Sequence, residues 1–550
     1  MKRATISQVE NKLSVRFDFD PALVGLMSEL DPRAKFNYGN KAWIFPLETY
    51  IFTRLCDLFG MDPSECVQGI GGDAFRMEVM GTQPQPKPVD LSLLDGFRFL
   101  TEPYEHQRRG LCELFGNDAW LLGWEMGTGK TKVVCDRING ESKVLILCPK
   151  SVLGTWEKEL CKHAVAKCTI LTGTATQKER AIKTRRPIVV TNYDTLLWWK
   201  EPGEWNAVVA DECQALRNPT AKRSRKARAI VAPRRWALSG TPAPNSPLDW
   251  HGILLFLDPS GRLAGTTSKT AFAARYAIKR SLSNDPKDRR KIIVGYRDLS
   301  DLRKRIASCS SRVKKEDCLD LPPKVFAERT CTLEGEQLRV YNTLRRDAVV
   351  RLNKMKEEST LTARNVLTEA LRLQQIAGGT VPDDLGIVHR FAGNAKLDLF
   401  GEILDDLDGK PLVVWCCFRE ELNILAECLA SRGRIVRAIH GGISGPDRQT
   451  AIDDFSASRA DTFLATIQTG GIGIDGLQRV CDTEVFYSRS YRFDEFAQAT
   501  DRLHRVGQEK KVTVISLVAT GTVDEKIAVA LERKEAMQEM MLSRPIEEML

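Results

Sequence analysis

The chain has 550 residues, of which 43% are hydrophobic and 28% charged, a composition typical of a globular protein with several domains. It has no long apolar run and no apolar signal-peptide core, which argues against a membrane span or a membrane partner. Its 15 cysteines include no C-x-x-C pair, as expected in a reducing compartment. The net charge of +9 permits a polyanionic partner without requiring one. Residues 1–90 are slightly acidic, so the positive excess lies in the remainder.

The first 80 residues are predicted to form a small α+β module. Leu13–Phe17 alternates like an edge strand, and Pro21–Leu30 places leucines on one helix face. The run Gly81–Pro88 alternates proline with polar residues, which can neither continue a helix nor join a central strand. We therefore expect a linker over residues 81–96.

After this linker, short runs that are apolar on both faces alternate with amphipathic helices, a pattern typical of buried parallel strands. Two α/β blocks are predicted, at residues 97–245 and 396–550. Between them, mostly helical extensions are expected at 246–330 and 331–395. The strand candidates are Val144–Leu147, Ile188–Val190, Ala207–Ala210, Leu412–Trp415, Thr462–Ala465 and Val512–Ile515.

A glycine-rich segment, Gly127-Thr128-Gly129-Lys130-Thr131, follows an apolar stretch and predicts a phosphate-binding loop. Its glycines let backbone N–H groups approach phosphate oxygens. Lys130 is expected to neutralise the β- and γ-phosphates of ATP, and Thr131 to bind Mg²⁺. Trp124 stands where the strict pattern has its first glycine, and the alternative interpretation is a glycine turn before a helix.

Two adjacent carboxylates, Asp211 and Glu212, end the apolar run Val208–Ala210. A strand that delivers such a pair after a phosphate loop is the Walker-B arrangement, in which the carboxylates serve Mg²⁺ and the attacking water. Asp211 is expected to hold Mg²⁺, and Glu212 to orient and polarise the attacking water. A solvated acidic loop is the alternative for the pair alone.

Near the C-terminus, Gln498, Arg502 and Arg505 form a third candidate catalytic group. The two arginines are three residues apart and are predicted to share one helix face, so that both guanidinium groups point into one site. Arginines placed in this way stabilise the negative charge that builds up on a transferring γ-phosphoryl group. A surface helix with salt bridges is the alternative.

Taken together, these motifs resemble those of the Swi/Snf-type ATPases of helicase superfamily two, over roughly residues 97–540. Asp211–Gln214 resembles motif II with Gln214 in place of histidine, and Asp475 stands where the family usually has asparagine in motif V. The other matching segments are Tyr104–Gln107 (Q motif), Trp124–Thr131 (motif I), Cys148–Trp156 (motif Ia), Thr191–Leu196 (motif Ib), Leu238–Pro242 (motif III), Lys314–Lys324 (crossover), Gly470–Asp475 (motif V) and Gln498–Gln508 (motif VI).

The resemblance implies an α/β protein with two RecA-like parallel-sheet lobes, which binds ATP and Mg²⁺ and moves along double-stranded DNA. The nucleotide-binding residues it implies are Gln107, Gly127, Gly129, Lys130, Thr131, Gly473 and Asp475. Contacts to DNA phosphates are implied for Lys150, Thr191 and Thr466, consistent with a sequence-independent grip. Two alternatives stay open, a nucleotide-gated DNA scaffold without turnover and a motor directed by RNA.

The N-terminal segment Lys35–Tyr50 resembles the HARP module of annealing helicases, in which a tryptophan strand leads into F-P-L-x-x-Y. This resemblance implies recognition of forked or branched DNA, in replication, recombination or repair. The alternative is a packing domain whose core contains Trp43, Phe45 and Tyr50. The local candidates for phosphate contacts are Lys35, Lys41 and Arg54. We expect a cytoplasmic or nucleoid-associated protein, nuclear in a eukaryote and in the host-cell cytoplasm if viral.

Overall fold

The computed structural model describes most of the chain after residue 89 and parts of the N-terminal module. The described residues are 4–10, 12–17, 27, 34–38, 40–47, 51–52, 55–56, 66, 70, 89–139, 141–183, 186–199, 203–281, 291–357, 363–383, 387–470 and 474–542. Apart from Met27, the predicted helix Pro21–Leu30 lies outside them, as does the proline-rich run Gly81–Pro88.

The chain divides into two compact units. The first contains residues 1–124, 129–313 and 538–550, and the second contains residues 125–128 and 314–537. The predicted domain boundaries are finer than this division and stay predictions.

The N-terminal module contains a four-stranded antiparallel sheet. Its strands are β1 (Ala4–Val9), β2 (Lys12–Phe17), β3 (Lys35–Asn37) and β4 (Ala42–Pro46), in the order β1-β2-β4-β3. The prediction that Leu13–Phe17 is an edge strand is wrong, because β2 lies between β1 and β4. Leu13 and Val15 are fully buried and pack with Trp43 and Phe45 in the core of the sheet.

The first unit continues with nine strands among its described residues. They are β5 (Ala119–Leu122), β6 (Val144–Cys148), β7 (Cys168–Leu171), β8 (Ile188–Asn192), β9 (Ala207–Asp211), β10 (Arg234–Leu238), β11 (Ala277–Ser281), β12 (Lys291–Tyr296) and β13 (Ser310–Ser311). β11 and β12 pair as an antiparallel hairpin. The other seven form a parallel sheet in the order β13-β5-β10-β9-β6-β8-β7.

This order places the carboxyl ends of β5, β10, β9, β6 and β8 side by side, and each of these strands is followed by a predicted motif. Ligands of open parallel sheets bind at this edge. The helices of the unit are α1 (Glu105–Gly116), α2 (Lys130–Arg137), α3 (Leu153–His163), α4 (Ala175–Ile182), α5 (Tyr193–Trp198), α6 (Lys222–Ala229), α7 (Trp250–Leu257), α8 (Lys269–Tyr276) and α9 (Leu299–Ala307).

The second unit is built on a six-stranded parallel sheet. The described strands of this unit are β14 (Lys324–Thr332), β15 (Thr380–Pro382), β16 (Val388–Arg390), β17 (Leu412–Cys416), β18 (Val436–Ile439), β19 (Thr462–Thr466), β20 (Thr483–Phe486) and β21 (Val512–Thr520), of which all but β15 and β16 belong to the sheet. The sheet order is β14-β21-β20-β17-β19-β18, and β15 pairs with β16 in a separate hairpin. The helices are α10 (Lys315–Cys318), α11 (Gly335–Glu357), α12 (Ala363–Ala377), α13 (Ala395–Asp406), α14 (Arg419–Ser431), α15 (Gly445–Ser456), α16 (Ile467–Gly470), α17 (Phe493–Thr500) and α18 (Val523–Leu542).

The predicted α/β fold class with two parallel sheets is confirmed, and so are all six predicted strands. The prediction of mostly helical extensions over residues 246–395 is incomplete, because this stretch also supplies β13 to the first sheet and β14 to the second. Neither strand gives an apolar signal. β13 has only two residues, and β14 alternates between half-buried and exposed side chains along most of its length.

Within the described residues, no helix has the length and apolarity needed to cross a membrane. The same part of the chain contains no group of three or more His, Cys, Asp or Glu suited to a metal ion. The cysteines are free thiols.

Candidate nucleotide site

The glycine-rich loop lies between β5 and α2, and its glycines are required by geometry. Gly127 and Gly129 both have positive φ, +80° and +84°. A Cβ atom at Gly129 would displace Nε2 of Gln107, and the positive φ would strain any residue with a side chain there. α2 begins at Lys130, directly after this loop, and the N-terminus of a helix can bind a phosphate through its backbone N–H groups.

Trp124, which stands where the strict phosphate-loop pattern has glycine, is buried in the first unit. A Cβ at Gly110 would lie 2.2 Å from the indole ring of Trp124, so the glycine leaves room for this side chain. The indole Nε1 donates to Oγ of Ser311 over 2.9 Å. The backbone carbonyl of Trp124 accepts a hydrogen bond from Nζ of Lys130 over 2.8 Å. The tryptophan is therefore packed into the fold, and its carbonyl orients the lysine of the loop.

Gln107, the predicted reader of adenine, lies buried in the first turn of α1. Its Oε1 accepts from the backbone N–H of Tyr104 over 3.0 Å, which closes the start of the helix. Its Nε2 faces Gly129, so the structure brings the Q motif and the phosphate loop together. The adenine-reading role stays a prediction.

Asp211 is the last residue of β9, and two aromatic donors hold it. Nε1 of Trp156 donates to its Oδ2 over 2.8 Å, and Oη of Tyr193 donates to its backbone carbonyl over 2.6 Å. Burial and the neighbouring charge of Glu212 raise the pKa of Asp211 to about 7, while the Trp156 hydrogen bond and Lys130 act to lower it. The structure therefore brings Lys130, Asp211 and Glu212 into one electrostatic environment.

Glu212 adopts a left-handed backbone conformation, with φ +49°. This conformation is rare for a residue with a Cβ and is typical of functional sites, where the surrounding structure enforces it. Nε2 of Gln214 donates to its Oε2 over 2.8 Å, and Oε1 of Gln214 accepts from Oγ of Ser239 over 2.7 Å. Gln214, which replaces the family's histidine, thus joins the carboxylate to the segment after β10.

The donor set at this edge fits Mg²⁺. Carboxylate and hydroxyl oxygens are its preferred protein ligands, and Asp211 and Thr131 supply one of each. Desolvation and the adjacent Glu212 carboxylate both raise the pKa of Asp211. A cation there would relieve the repulsion between Asp211 and Glu212.

In the second unit, Arg502 and Arg505 converge on one backbone carbonyl. Nη1 of each donates to the carbonyl oxygen of Ile474, over 2.8 and 3.3 Å. The prediction that they share a helix face is wrong, because α17 ends at Thr500 and both arginines lie in the turns that follow. Arg502 also donates through Nε to the carbonyl of Gln498, which is buried in α17. Their catalytic roles stay predictions.

The turns that carry these arginines are anchored by a buried ion cluster. Nζ of Lys315 lies 2.7 Å from Oδ1 of Asp501, and Nζ of Lys324 lies 3.3 Å from the same atom. Although burial acts to raise it, the two lysines lower the pKa of Asp501 to about 2. Asp475 forms an ion pair with Arg505, with 3.3 Å between Nη1 and Oδ1. Gly473 lies outside the described residues.

The three predicted phosphate contacts differ in exposure. Lys150 is exposed in the short turn Lys150–Val152 between β6 and α3. Thr191 is completely buried in β8, and Thr466 is buried at the end of β19. Burial withholds the two threonine hydroxyls from DNA in this conformation, so Lys150 is the contact that the structure leaves accessible.

Sequence reasoning did not identify Trp156 and Tyr193 as partners of Asp211. They lie 55 and 18 residues from it along the chain. Trp156 belongs to motif Ia and Tyr193 to motif Ib, but only the sheet order reveals that β6 and β8 bring them close to the end of β9.

Two parallel α/β sheets, one of them bearing a phosphate loop and an adjacent carboxylate pair at its carboxyl edge, define a helicase-like nucleotide-binding fold. The SNF2-related domain matches residues 76–378, and the helicase conserved C-terminal domain matches residues 395–507. The first match alone covers more than half of the chain. The chain therefore belongs to the SNF2-related family.

Individual relatives are more distant. The chain is 25% identical to the mouse chromodomain-helicase-DNA-binding protein 1-like over 428 residues, which cover 74% of this chain and 46% of the relative. It is 26% identical to the TATA-binding protein-associated factor mot1 of Aspergillus fumigatus over 432 residues, 70% of this chain and 22% of the relative. The chain thus spans about half or less of the length of these curated relatives.

Among solved structures, the chain is similar to the Sulfolobus solfataricus SWI2/SNF2 ATPase core in complex with dsDNA. The identity is 23% and the TM-score 0.37, with 84% of this chain and 97% of that chain covered. We draw nothing further from this likeness.

Proposed function

We propose that the chain is a DNA-dependent ATPase that moves along double-stranded DNA and remodels it, with a preference for forked or branched DNA. The observation that carries the proposal is the placement of Lys130, Asp211 and Glu212 in one electrostatic environment at the carboxyl edge of the sheet. Family membership supports ATP as the nucleotide.

In this proposal, Lys130 binds the β- and γ-phosphates, and the N-terminus of α2 adds backbone donors. Glu212 orients and polarises the attacking water, and its hydrogen bond from Gln214 fixes the carboxylate. Asp211 and Thr131 would hold Mg²⁺, which neutralises phosphate charge when it is bound.

Arg502 and Arg505 supply positive charge for the γ-phosphoryl group in the transition state. Their convergence on the Ile474 carbonyl supports this role, because the shared acceptor holds the two guanidinium groups side by side. Gln498 supports Arg502 through its backbone carbonyl.

Double-stranded DNA is the proposed track. The name of the mouse relative describes a DNA-binding helicase, and exposed Lys150 lies at the carboxyl edge of the first sheet. Contacts to phosphates position a protein on DNA without reading its sequence, as a translocase requires. With such a partner, we propose that the protein acts in the cytoplasm or at the nucleoid, or in the nucleus of a eukaryote.

The preference for forked DNA rests on the N-terminal sheet. Trp43 and Phe45 are buried in its core, as the packing alternative predicts, while Tyr50 and Arg54 lie outside the described residues. Next to this core, Tyr38 is 85% exposed and Phe36 39% exposed, and their rings meet edge to face at 5.1 Å. The exposed lysines of the same sheet edge are Lys35 and Lys41.

Exposed aromatic rings beside lysines form a stacking platform for unpaired bases, which occur at forks but not in intact duplex. The N-terminal sheet therefore supports fork recognition through Phe36 and Tyr38, with Lys35 and Lys41 facing phosphates.

Steady-state ATP hydrolysis at one salt concentration tests the proposal, with no nucleic acid, RNA, linear duplex or forked DNA. We expect the highest turnover with the fork, less with linear duplex and the least with RNA. Stronger stimulation by RNA than by DNA would identify an RNA-directed motor, and no turnover in single-turnover assays would identify a nucleotide-gated scaffold.

A substitution on the N-terminal sheet tests the fork preference separately. Tyr38→Ala should raise the fork concentration for half-maximal stimulation by roughly fivefold, the loss of about 1 kcal/mol of base stacking, without changing the value for linear duplex. Val9→Ala, an exposed apolar residue on the opposite edge strand, is the matched control. If Tyr38→Ala, like Val9→Ala, leaves the fork concentration for half-maximal stimulation unchanged, the sheet has a packing role.

A further inference from the structure

Two buried aromatic side chains donate hydrogen bonds to the same acidic residue. Trp156 is 1% exposed and bonds the carboxylate of Asp211, and Tyr193 is 4% exposed and bonds its backbone carbonyl. Because both bonds are shielded from water, they orient Asp211 more strongly than exposed bonds would. The second carboxylate oxygen, Oδ1, accepts from the N–H of Glu212 over 3.0 Å, so both oxygens have defined directions.

Each aromatic donor follows a strand of the sheet that contains Asp211, since β6 is the neighbour of β9 and β8 is the next strand beyond β6. Trp156 lies on α3, which follows β6 and the turn Lys150–Val152 without interruption. Tyr193 is the first residue of α5, directly after β8. Lys150 is therefore six residues from Trp156 on a continuous stretch of helix-like backbone. A displacement of the exposed turn moves the indole that holds Asp211.

We propose that Trp156 and Tyr193 are positioning residues that transmit DNA engagement to the magnesium-binding carboxylate. This inference rests on the proposed function, since it assumes that DNA phosphates bind at the Lys150 turn. DNA binding at this turn would fix α3, and Trp156, together with Tyr193, would then hold Asp211 in the orientation that binds Mg²⁺.

A tryptophan with a purely structural role in the same unit provides a comparison. Trp250 is also 1% exposed and packs in the core around α7. Its indole Nε1 has no hydrogen-bond partner among the described residues. Packing alone therefore does not require the indole donor, whereas Trp156 directs its donor at Asp211.

The test compares Trp156→Phe and Tyr193→Phe with Trp250→Phe. Both tryptophan variants lose an indole, but only Trp156→Phe loses a bond to Asp211. Two quantities are measured for each. They are the ratio of kcat with linear duplex to kcat without DNA, and the gain in affinity for a fluorescent ADP analogue when Mg²⁺ is added. The second is a binding measurement and does not depend on turnover.

Trp156→Phe and Tyr193→Phe should each reduce the kcat ratio and the Mg²⁺-dependent gain in affinity by roughly tenfold, the effect of losing a hydrogen bond to a charged or functional group. Trp250→Phe should leave both quantities within about twofold of the unsubstituted protein. Thermal unfolding establishes that the variants are folded. If Trp156→Phe does not fold, Tyr193→Phe carries the same test, because it removes only one hydroxyl.

Values for Trp156→Phe and Tyr193→Phe that match those of Trp250→Phe would overturn the inference while leaving the proposed function intact. An unsubstituted protein whose turnover does not respond to DNA would overturn the proposed function, and the inference with it. The two failures are therefore distinguishable in one set of measurements.

Discussion

Each of the two parallel sheets contains a carboxylate that accepts a hydrogen bond from a tryptophan indole. In the first unit, Trp156 donates to Asp211 over 2.8 Å, and in the second, Trp415 donates to Glu484 over 2.7 Å. Burial raises the pKa of both carboxyls, to about 7 for Asp211 and about 8 for Glu484. The local chemistry of the two sites is thus nearly the same.

The two carboxylates differ in their position along the strand. Asp211 ends β9 at the carboxyl edge, whereas Glu484 is the second residue of β20 and is enclosed by its sheet. Ligands reach the carboxyl edge of a parallel sheet but not its interior. A carboxylate with a raised pKa therefore indicates a functional site only when the strand delivers it to that edge.

The largest expected difference between the two sites is in catalysis. Glu212→Gln, beside Asp211, should lower kcat by about 10²–10⁴-fold, because an amide cannot polarise the attacking water as a carboxylate does. Glu484→Gln should leave kcat within about twofold. ATP hydrolysis at saturating Mg²⁺ and duplex DNA measures both. A parallel loss in the two variants would contradict the distinction between the edge and the interior.

Removal of the second indole should affect stability without affecting magnesium. Trp415→Phe leaves buried Glu484 without its donor, which should lower the free energy of unfolding by about 1–3 kcal/mol. Urea unfolding measures this loss. The Mg²⁺-dependent gain in affinity for the ADP analogue should not change, in contrast to Trp156→Phe. A weaker magnesium response in Trp415→Phe would show that the two indoles are not functionally distinct.

The expected change per pH unit is the smallest of the three effects, and it concerns the pH dependence of Glu484. Its folded pKa is raised from 4.5 to about 8, so the folded protein binds the proton more tightly than the unfolded chain. Stability from this group is therefore present at low pH and lost as the pH rises towards 8. Glu484→Gln removes this loss, so its stability relative to the unsubstituted protein should grow by about 1 kcal/mol per pH unit between pH 5 and 8.

Urea unfolding of both proteins at three pH values between 5 and 8 measures how their stability difference changes with pH. A stability difference that does not depend on pH would show that Glu484 titrates alike in the folded and unfolded chains.

The sequence alone predicted those features that depend on neighbouring residues. Apolar runs such as Val144–Leu147 identify strands because both of their faces are buried, and Asp211 and Glu212 follow such a run directly. Short or alternating strands carry no such signal, which is why β13 and β14 were missed.

Contacts between distant segments could not be predicted. The hydrogen bond of Trp156 to Asp211 depends on the order of β6, β8 and β9 in the sheet, and that order is a property of the fold. The turns after α17 depend likewise on the bonds of Asp501 to Lys315 and Lys324, far away in the sequence. The three-residue spacing of Arg502 and Arg505 therefore predicted a helix where the structure has turns.

The most direct test of the proposed function is displacement of a third strand from a DNA triplex, since a motor moving along duplex must strip that strand ahead of it. The unsubstituted protein should release the third strand in the presence of ATP and Mg²⁺, and Glu212→Gln should not. DNA-stimulated ATP hydrolysis without release of the third strand would contradict translocation along duplex DNA.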